Sequence, residues 1–172
     1  MTRALPHHSA LAILGLGANL GDPISTLESA IESLKANPRT SDWRISPFYR
    51  TAPIGSNLAQ PDYINAVGAC RTDLAPEALM QWLLDIERHF GRDRSQDVAP
   101  NAPRTLDLDL LIVDQVTLHS PLLTLPHPRL HQRAFVLRPL VDLLPEVSLP
   151  GLGRLDQYLP MVSDQAITRI PD

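Results

Sequence analysis

Two aspartates separated by a single residue carry the clearest chemical signal in this sequence. Residues 106–110 read Leu-Asp-Leu-Asp-Leu. On a β-strand this alternation buries the leucines and places Asp107 and Asp109 on the other face, with Cα atoms roughly 6.6 Å apart. Aspartate is disfavoured in strands, and like charges on one face repel each other. A cation between them removes that cost, and Mg²⁺ takes one or two carboxylates together with substrate phosphates. The alternative is a solvated strand face that carries two aspartates.

The residues before this pair are rich in arginine. Four arginines fall within 17 residues, at Arg88, Arg92, Arg94 and Arg104. The guanidinium group binds phosphate bidentately, so arginines beside a metal-type acidic pair predict a site for a Mg²⁺-bound polyphosphate. The alternatives are a solvated charged loop, which Asp93 and Asp97 partly neutralise, and codon bias, since Lys35 is the sole lysine among 15 basic residues.

Two further groups of residues favour a binding site. His127 and Arg133 could reach the same phosphates, although a histidine in a loop is more often simply exposed. Tyr63 and Asn65 lie two residues apart on a predicted strand and therefore share a face, following a loop that begins at Thr51. An aromatic ring beside an amide suits a flat polar heterocycle. The alternative is a half-exposed tyrosine beside a satisfied asparagine.

The elements that must position these residues follow the order β-α-β-β-α-β. Strands are predicted at residues 11–16, 43–50, 63–71 and 106–113, and helices at 24–36 and 75–90. Asp22 is the expected N-cap of the first helix, and Gly91 the residue that ends the second. The order is that of the split βαβ, ferredoxin-like α+β sandwich, with an antiparallel sheet and two helices on one face.

The remaining segments are less regular. Asp114 and Gln115 are expected to turn the last strand back into a short partner strand at residues 116–118, and one helical turn is expected near 138–144. The second face of the sheet needs a cover, for which the long loops are the candidates. Residues 1–9 are expected to be a frayed extension, and nothing is predicted for the tail, 151–172.

Composition narrows the class of protein. A chain of 172 residues with 44% hydrophobic residues and a net charge of −4 fits a single domain, 1–172, and excludes a disordered or broadly basic nucleic-acid-binding chain. The single cysteine, Cys70, excludes a disulfide framework. No apolar run is long enough for a membrane helix, so we expect a cytoplasmic protein. Glycines 15, 17 and 21 do not have the spacing of a dinucleotide fingerprint, and no phosphate-loop motif occurs.

Six motifs occur in an order that resembles a known family. They are residues 16–21, Phe48 to Thr51 with Pro53 and Gly55, residues 60–66, Glu87 with Gly91, Arg92 and Arg94, residues 103–109, and residues 126–140 from Pro126-His127 through Arg133 to Leu137 and Leu140. On these residues, over about 11–147, the chain resembles the 6-hydroxymethyl-7,8-dihydropterin pyrophosphokinase (HPPK) family of folate biosynthesis.

The resemblance implies a ferredoxin-like monomer that binds ATP, two Mg²⁺ ions and hydroxymethyldihydropterin, and no nucleic acid or membrane. It matches Asp107 and Asp109 to metal ligands, and Arg92, Arg104 and Asp109 to catalytic positions. The positions matched to ATP contacts are Arg94, Leu110, Thr124, His127 and Arg133. Those matched to pterin contacts are Thr51, Ala52, Ile54, Tyr63, Asn65 and Phe135. The sequence departs from the family pattern at Leu84, Asn101 and Leu122.

The implied reaction is transfer of diphosphate from ATP to the pterin hydroxymethyl group, with AMP as the second product. The group that takes the hydroxyl proton stays open between Asp109 and no dedicated base. Residues 55–60 and 92–104 are expected to close over the site. Two other classes of protein remain: a Mg²⁺-dependent nucleotide hydrolase that uses the same acidic pair, and a non-catalytic ligand-binding module.

Overall fold

A six-stranded antiparallel sheet is the centre of the computed structural model, which describes residues 9–53, 59–92 and 105–172. The strands in chain order are β1 Ala10–Ala18, β2 Thr40–Ile45, β3 Tyr49–Thr51, β4 Tyr63–Thr72, β5 Asp107–Val113, β6 Leu118–His119, β7 Thr124–Leu125, β8 Ser148–Leu149, β9 Gly153–Arg154 and β10 Ile167–Arg169. The large sheet has the order β10-β3-β4-β1-β5, and β2 also pairs with β4.

The predicted extended stretch 43–50 is two strands rather than one. β2 and β3 both pair with β4, and Ser46 lies between them. The backbone N–H of Ser46 donates to Val67 O at 2.8 Å, and its hydroxyl accepts from Val67 N at 2.9 Å. Because Ser46 hydrogen-bonds with both the N–H and the C=O of Val67, the chain stays beside β4 between the end of β2 and the start of β3.

Helices α1, Pro23–Lys35, and α2, Pro76–His89, form as predicted on one face of the sheet. The Asp22 side chain accepts from Ser25 N at 3.2 Å, which confirms the predicted N-cap. Gly91 has a φ of 88°, the left-handed conformation that glycine adopts without strain after a helix. The core on this side, termed the α1/α2 face, contains Leu14, Leu16, Leu27, Leu34, Leu79, Leu83, Leu106, Leu108 and Leu110.

A third helix and the tail cover the opposite face. The long loops that the sequence suggested as a cover lie mostly outside the described residues. Helix α3 spans Ala134–Leu143, where one turn was expected, and a 3-10 helix follows at Leu155–Val162. Both pack on what we term the α3 face, whose core includes Ile13, Val67, Leu111, Leu130, Leu137, Leu140, Leu155 and Val162. The tail then adds β10 as a strand beside β3.

Strand β5 forms as predicted, but the predicted partner strand does not pair with it. Residues Leu118–His119 pair instead with Thr124–Leu125, outside the large sheet. The register of β5 against β1 shifts between Ile13 and Leu14, so the strict alternation ends at Leu110 and the residues after it are all buried. The fold is a mixed α/β arrangement on an antiparallel sheet.

Of the predicted frayed start, 1–9, only Ser9 lies within the described residues, where it precedes β1. Among the residues described, none of the helices combines the length and the apolar character that crossing a bilayer requires.

Candidate active site

The acidic pair lies on the α3 face, at one end of β5. Asp107 pairs with Gly17 of β1, and Asp109 pairs with Gly15. Both aspartates are partly exposed, whereas Leu106, Leu108 and Leu110 are 0%, 0% and 3% exposed on the α1/α2 face. The structure therefore confirms the predicted alternation and places both carboxylates on one side of the sheet.

The two glycines let neighbouring side chains lie close over the backbone of β1 beside this pair. Gly17 pairs with Asp107 on one side and with Asn65 of β4 on the other. A methyl group on Gly17 would stand 2.9 Å from Oδ1 of Asn65, which is closer than real Cβ contacts. On Gly15, it would stand 3.8 Å from Cβ of Asp109. Without side chains, Gly15 and Gly17 keep the surface of β1 low between the aspartates of β5 and the side chains of β4. We term this surface the glycine floor, and larger residues would fill it.

A buried ion-pair cluster fixes Asp107 to helix α2. Nη1 of Arg92 lies 2.5 Å from Oδ1 of Asp107 and 3.3 Å from Oε1 of Glu87. Glu87 is 1% exposed and also accepts from the backbone N–H of Leu108 at 2.8 Å. Strand β5 pairs with β1 along one edge. Along its other edge, between the two aspartates, the bond from Leu108 to Glu87 holds β5 against α2. Arg92, 7% exposed, offsets one of the two carboxylates it contacts.

His127 lies against the same edge of β5. Its backbone N–H donates to Leu111 O at 2.8 Å. Burial lowers the pKa of His127, and the positive charge of Arg133 lowers it further, while Asp107 acts in the opposite direction. Its Nδ1 accepts from the backbone N–H of Arg129 at 3.2 Å, so the neutral ring carries its proton on Nε2. His127 can therefore donate to an anion near Asp107 without adding a charge.

Thr51 and Asn65 form a polar corner on the neighbouring strands β3 and β4. The side-chain amide of Asn65 donates to Oγ1 of Thr51 at 2.8 Å, and both residues are buried, 6% exposed. Thr51 pairs with Tyr63, which is partly exposed. This bond leaves the Asn65 carbonyl directed at Gly17, so the corner holds a fixed pattern of donors and acceptors beside the glycine floor.

A cavity of about 440 Å³ opens beside Thr51, on the side of β3 that faces the tail. Its walls come from three segments far apart in sequence: Thr51, Ala52 and Pro53; Arg129, Gln132, Arg133, Ala134 and Phe135; and Asp164, Gln165 and Ala166. The guanidinium carbon of Arg133 lies 5.5 Å from the centre of the Phe135 ring, within cation–π range. A cation, an aromatic ring and Thr51 of the polar corner thus meet at one opening, a combination that suits an anionic ligand with a flat ring.

The acidic pair fits a magnesium ion that is shared with a substrate. Both groups are carboxylates, the oxygen donors that Mg²⁺ prefers, and they face the space above the glycines. Within the described ranges, no group of three or more His, Cys, Asp or Glu side chains could hold a metal. Two carboxylates with substrate phosphates and water complete such a site, as Mg²⁺ commonly requires.

The remaining predicted residues are Leu110 and Thr124, whose side chains have other contacts, and residues outside the described ranges. The side chain of Leu110 is buried in the core of the α1/α2 face, away from the aspartates. Thr124 begins β7, where its hydroxyl lies 3.4 Å from Nδ1 of the exposed His119. Arg94, Arg104 and Ile54, with Asn101 and most of the two predicted mobile loops, lie outside the described residues.

Sequence reasoning named Glu87 in a motif without giving it a role, and it missed the contribution of the tail. Glu87 continues the apolar stripe of α2, four residues after Leu83, and a charged residue at such a position signals a buried partner. The tail residues Asp164, Gln165 and Ala166 carry no such signal, because their role depends on contacts with segments more than 30 residues away.

Comparison with known proteins by sequence finds a family model and related proteins. A family model described as 7,8-dihydro-6-hydroxymethylpterin-pyrophosphokinase (HPPK) matches residues 13–145. Two relatives carry the name 2-amino-4-hydroxy-6-hydroxymethyldihydropteridine pyrophosphokinase. The one from Pseudomonas aeruginosa is 37% identical over 92% of this chain and 95% of its own length. The one from Synechocystis is 40% identical over 83% of this chain and 71% of its own length.

Solved structures share the fold at low sequence identity. A crystal structure of HPPK-DHPS in complex with substrates superposes with a TM-score of 0.69 at 14% identity, over 91% of this chain and 44% of that chain. Wild-type Plasmodium falciparum HPPK-DHPS gives a TM-score of 0.66 at 14% identity, over 94% of this chain and 44% of that chain. The chain thus spans less than half the length of these proteins.

Proposed function

The chain belongs to the 7,8-dihydro-6-hydroxymethylpterin-pyrophosphokinase (HPPK) family, and on that premise we propose that it transfers the diphosphoryl group of ATP to 6-hydroxymethyl-7,8-dihydropterin in folate biosynthesis. The products are AMP and the pterin diphosphate. The observation that carries the proposal is the placement of Asp107 and Asp109 on the same sheet face as the Thr51–Asn65 corner, with a glycine floor between them.

The pterin binds at the polar corner. The side chains of Thr51 and Asn65 hydrogen-bond the edge of its ring, and Tyr63 and Phe135 contact the two faces. Asn65 is held by its bond to Thr51, so its carbonyl is oriented before the substrate arrives. Such preorganisation lowers the entropy cost of binding and aligns the hydroxymethyl group for attack.

The triphosphate of ATP lies beside the acidic pair and near the basic side chains His127 and Arg133. The hydroxymethyl oxygen attacks the β-phosphorus, the bond from that phosphorus to the oxygen bridging the α- and β-phosphates breaks, and AMP leaves with that oxygen. Positioning and charge neutralisation account for most of the rate enhancement in such transfers. Neutral His127 donates through Nε2, and Arg133 supplies positive charge at the cavity.

Asp107 and Asp109 would hold two Mg²⁺ ions, which would neutralise charge on the triphosphate and orient it. Arg92 keeps Asp107 in place through their 2.5 Å contact, and Glu87 holds the strand edge behind both aspartates. Arg92 and Arg104 stabilise charge as AMP departs, and Arg94, Thr124 and the backbone of Leu110 complete the ATP contacts. The backbone near Ala52 and Ile54 completes those to the pterin.

We further propose a ferredoxin-like topology, for which the order of β1, β3, β4 and β5 in the sheet is the support. Both cores pack on this one sheet, which supports a single pyrophosphokinase domain. We also propose that the chain acts as a monomer. A cytoplasmic location follows from its use of ATP.

The experiment measures AMP and pterin diphosphate by chromatography after incubation with ATP and Mg²⁺, with and without the reduced pterin. The wild type should form AMP only when the pterin is present. AMP formation without pterin would indicate the hydrolase, and no AMP in any mixture would indicate the non-catalytic module. Asp109→Ala should abolish the reaction, and the control Asp85→Ala, which changes an exposed aspartate on α2, should retain it.

A further inference from the structure

A glutamine in the tail holds both sides of Arg133. Oε1 of Gln165 accepts from the backbone N–H of Ala134 at 2.9 Å, and its Nε2 donates to Gln132 O at 2.9 Å. One side-chain amide therefore bonds with the residue before Arg133 and the residue after it. The two partners are separated from Gln165 by more than 30 residues of chain.

The start of helix α3 needs such a partner. Ala134 is its first residue, and the first N–H groups of a helix have no acceptor within the helix. Arg133 occupies the N-cap position, but a guanidinium group carries no acceptor and cannot fill that role. Gln165 supplies the missing acceptor from the tail, so the segment that carries Arg133 and Phe135 begins at a defined place.

The same tail segment is anchored to the opposite wall of the cavity. Two residues after Gln165, Ile167 pairs with Thr51 as β10 joins β3. The backbone N–H of Gln165 also donates to Val162 O at 3.0 Å, which ties it to the end of the preceding 3-10 helix. Residues 165–167 therefore span the distance between the Thr51 wall and the Arg133 wall of the cavity.

We propose that Gln165 is a positioning residue that sets the spacing between Thr51 and the Arg133–Phe135 segment and so determines the affinity of the cavity for its substrates. The proposal rests on the proposed function, because that function identifies the cavity as the substrate site. Gln165 acts through the backbone at residues 132 and 134 and takes no part in the chemical step.

The test compares Gln165→Ala with Gln157→Ala. Gln157 is a matched control: it lies in the same tail, and its side chain donates to a backbone oxygen, that of Leu152 at 2.7 Å, without reaching residues 132–135. Measured quantities are kcat, the KM for each substrate, the Kd for the reduced pterin by fluorescence titration, and amide hydrogen exchange at residues 134–136.

Gln165→Ala should raise both KM values and the Kd about three- to tenfold, since one hydrogen-bonded bridge is lost, with kcat within about twofold of wild type. Exchange at residues 134–136 should become faster. Gln165→Glu, which keeps the acceptor and loses the donor, should lie between Gln165→Ala and wild type. Gln157→Ala should match the wild type in every measurement.

Wild-type KM, Kd and exchange in Gln165→Ala would overturn the proposal, as would equal effects from Gln157→Ala, which would indicate general loosening of the tail. If the wild type forms no AMP, the proposed function fails separately. Exchange at residues 134–136 then still decides whether Gln165 holds this segment: unchanged exchange in Gln165→Ala rejects that role, and faster exchange supports it.

Discussion

The two faces of the sheet come from the same strands and differ in what they carry. On the α1/α2 face the core is apolar up to the end of β5, with Leu106 and Leu108 fully buried. On the α3 face the apolar core stops near Leu111, and the end of the sheet carries Asp107, Asp109 and Asn65. A strand with a period of two can therefore stabilise the fold with one set of residues and form the site with the other.

The largest effect is expected from Asp109→Asn, which changes the α3 face without touching the other face. The rate of AMP formation should fall at least about 10³-fold, because a metal ion supplies several kcal/mol of charge stabilisation to the reaction. The free energy of unfolding should change far less than the rate, since the substitution keeps the size of the side chain and leaves the apolar core intact. Steady-state kinetics measures the rate of AMP formation, and urea unfolding measures the free energy of unfolding. A destabilised variant with normal kcat would contradict the division of roles.

The neighbouring substitution Leu108→Ala should have the opposite profile. Removing a fully buried leucine from the α1/α2 face should lower the free energy of unfolding by about 3 kcal/mol through lost burial and a cavity. The kcat of the folded enzyme should remain within a few-fold of wild type. Urea unfolding and kinetics at low temperature make the measurement. If kcat falls as far as in Asp109→Asn, the two faces do not act independently.

The pH dependence of unfolding tests how well Cys70 is buried in the core of the α1/α2 face. Burial raises the pKa of the Cys70 thiol from 9.0 to about 11. Between these values the unfolded chain loses the proton and the folded chain keeps it, so stability is retained below pH 9.0 and falls as the pH rises toward 11. The loss should be about 2–3 kcal/mol.

Cys70→Ala provides the control for this effect. Its free energy of unfolding should lack the thiol-dependent part of the decrease between these pH values. Chemical unfolding of both proteins at a series of alkaline pH values makes the comparison. Identical pH profiles would show that the thiol is more accessible than its position in the core indicates.

The smallest effect is expected at the polar corner of the α3 face. Thr51→Val keeps the shape of the side chain but removes the acceptor for the Asn65 amide, which is buried. An unsatisfied buried amide costs about 1–3 kcal/mol, and the loss of orientation should raise the KM for the pterin about tenfold. Thr51→Ser keeps the hydroxyl and should stay near the wild-type KM. A normal KM in Thr51→Val would show that Asn65 needs no such support.

The sequence allowed prediction of those parts whose pattern is local. The alternation at residues 106–110, the helical spacing of Leu79, Leu83 and Ile86, and the cap at Asp22 each reflect nearby residues, and each forms as expected. The prediction of a magnesium–phosphate site also began from a local pattern, the spacing of the two aspartates. The site itself stays a prediction.

The parts that could not be predicted depend on distant contacts. β10 has three residues and pairs with β3 more than 100 residues earlier, so its short sequence carries little information. Helix α3 starts at a residue whose N–H is bound by Gln165, and Pro139 lies inside it, so neither end signals nor composition favoured a helix. The shift in register at Leu14 likewise has no local signal.

Binding of a non-hydrolysable ATP analogue tests most directly whether Asp107 and Asp109 join magnesium to the triphosphate. Calorimetric titration with and without Mg²⁺ compares the wild type with the double variant Asp107→Asn, Asp109→Asn. Mg²⁺ should strengthen binding to the wild type by at least about tenfold, and this increase should disappear in the double variant. An equal Mg²⁺-dependent increase in both proteins would contradict the assignment of the acidic pair as the metal site.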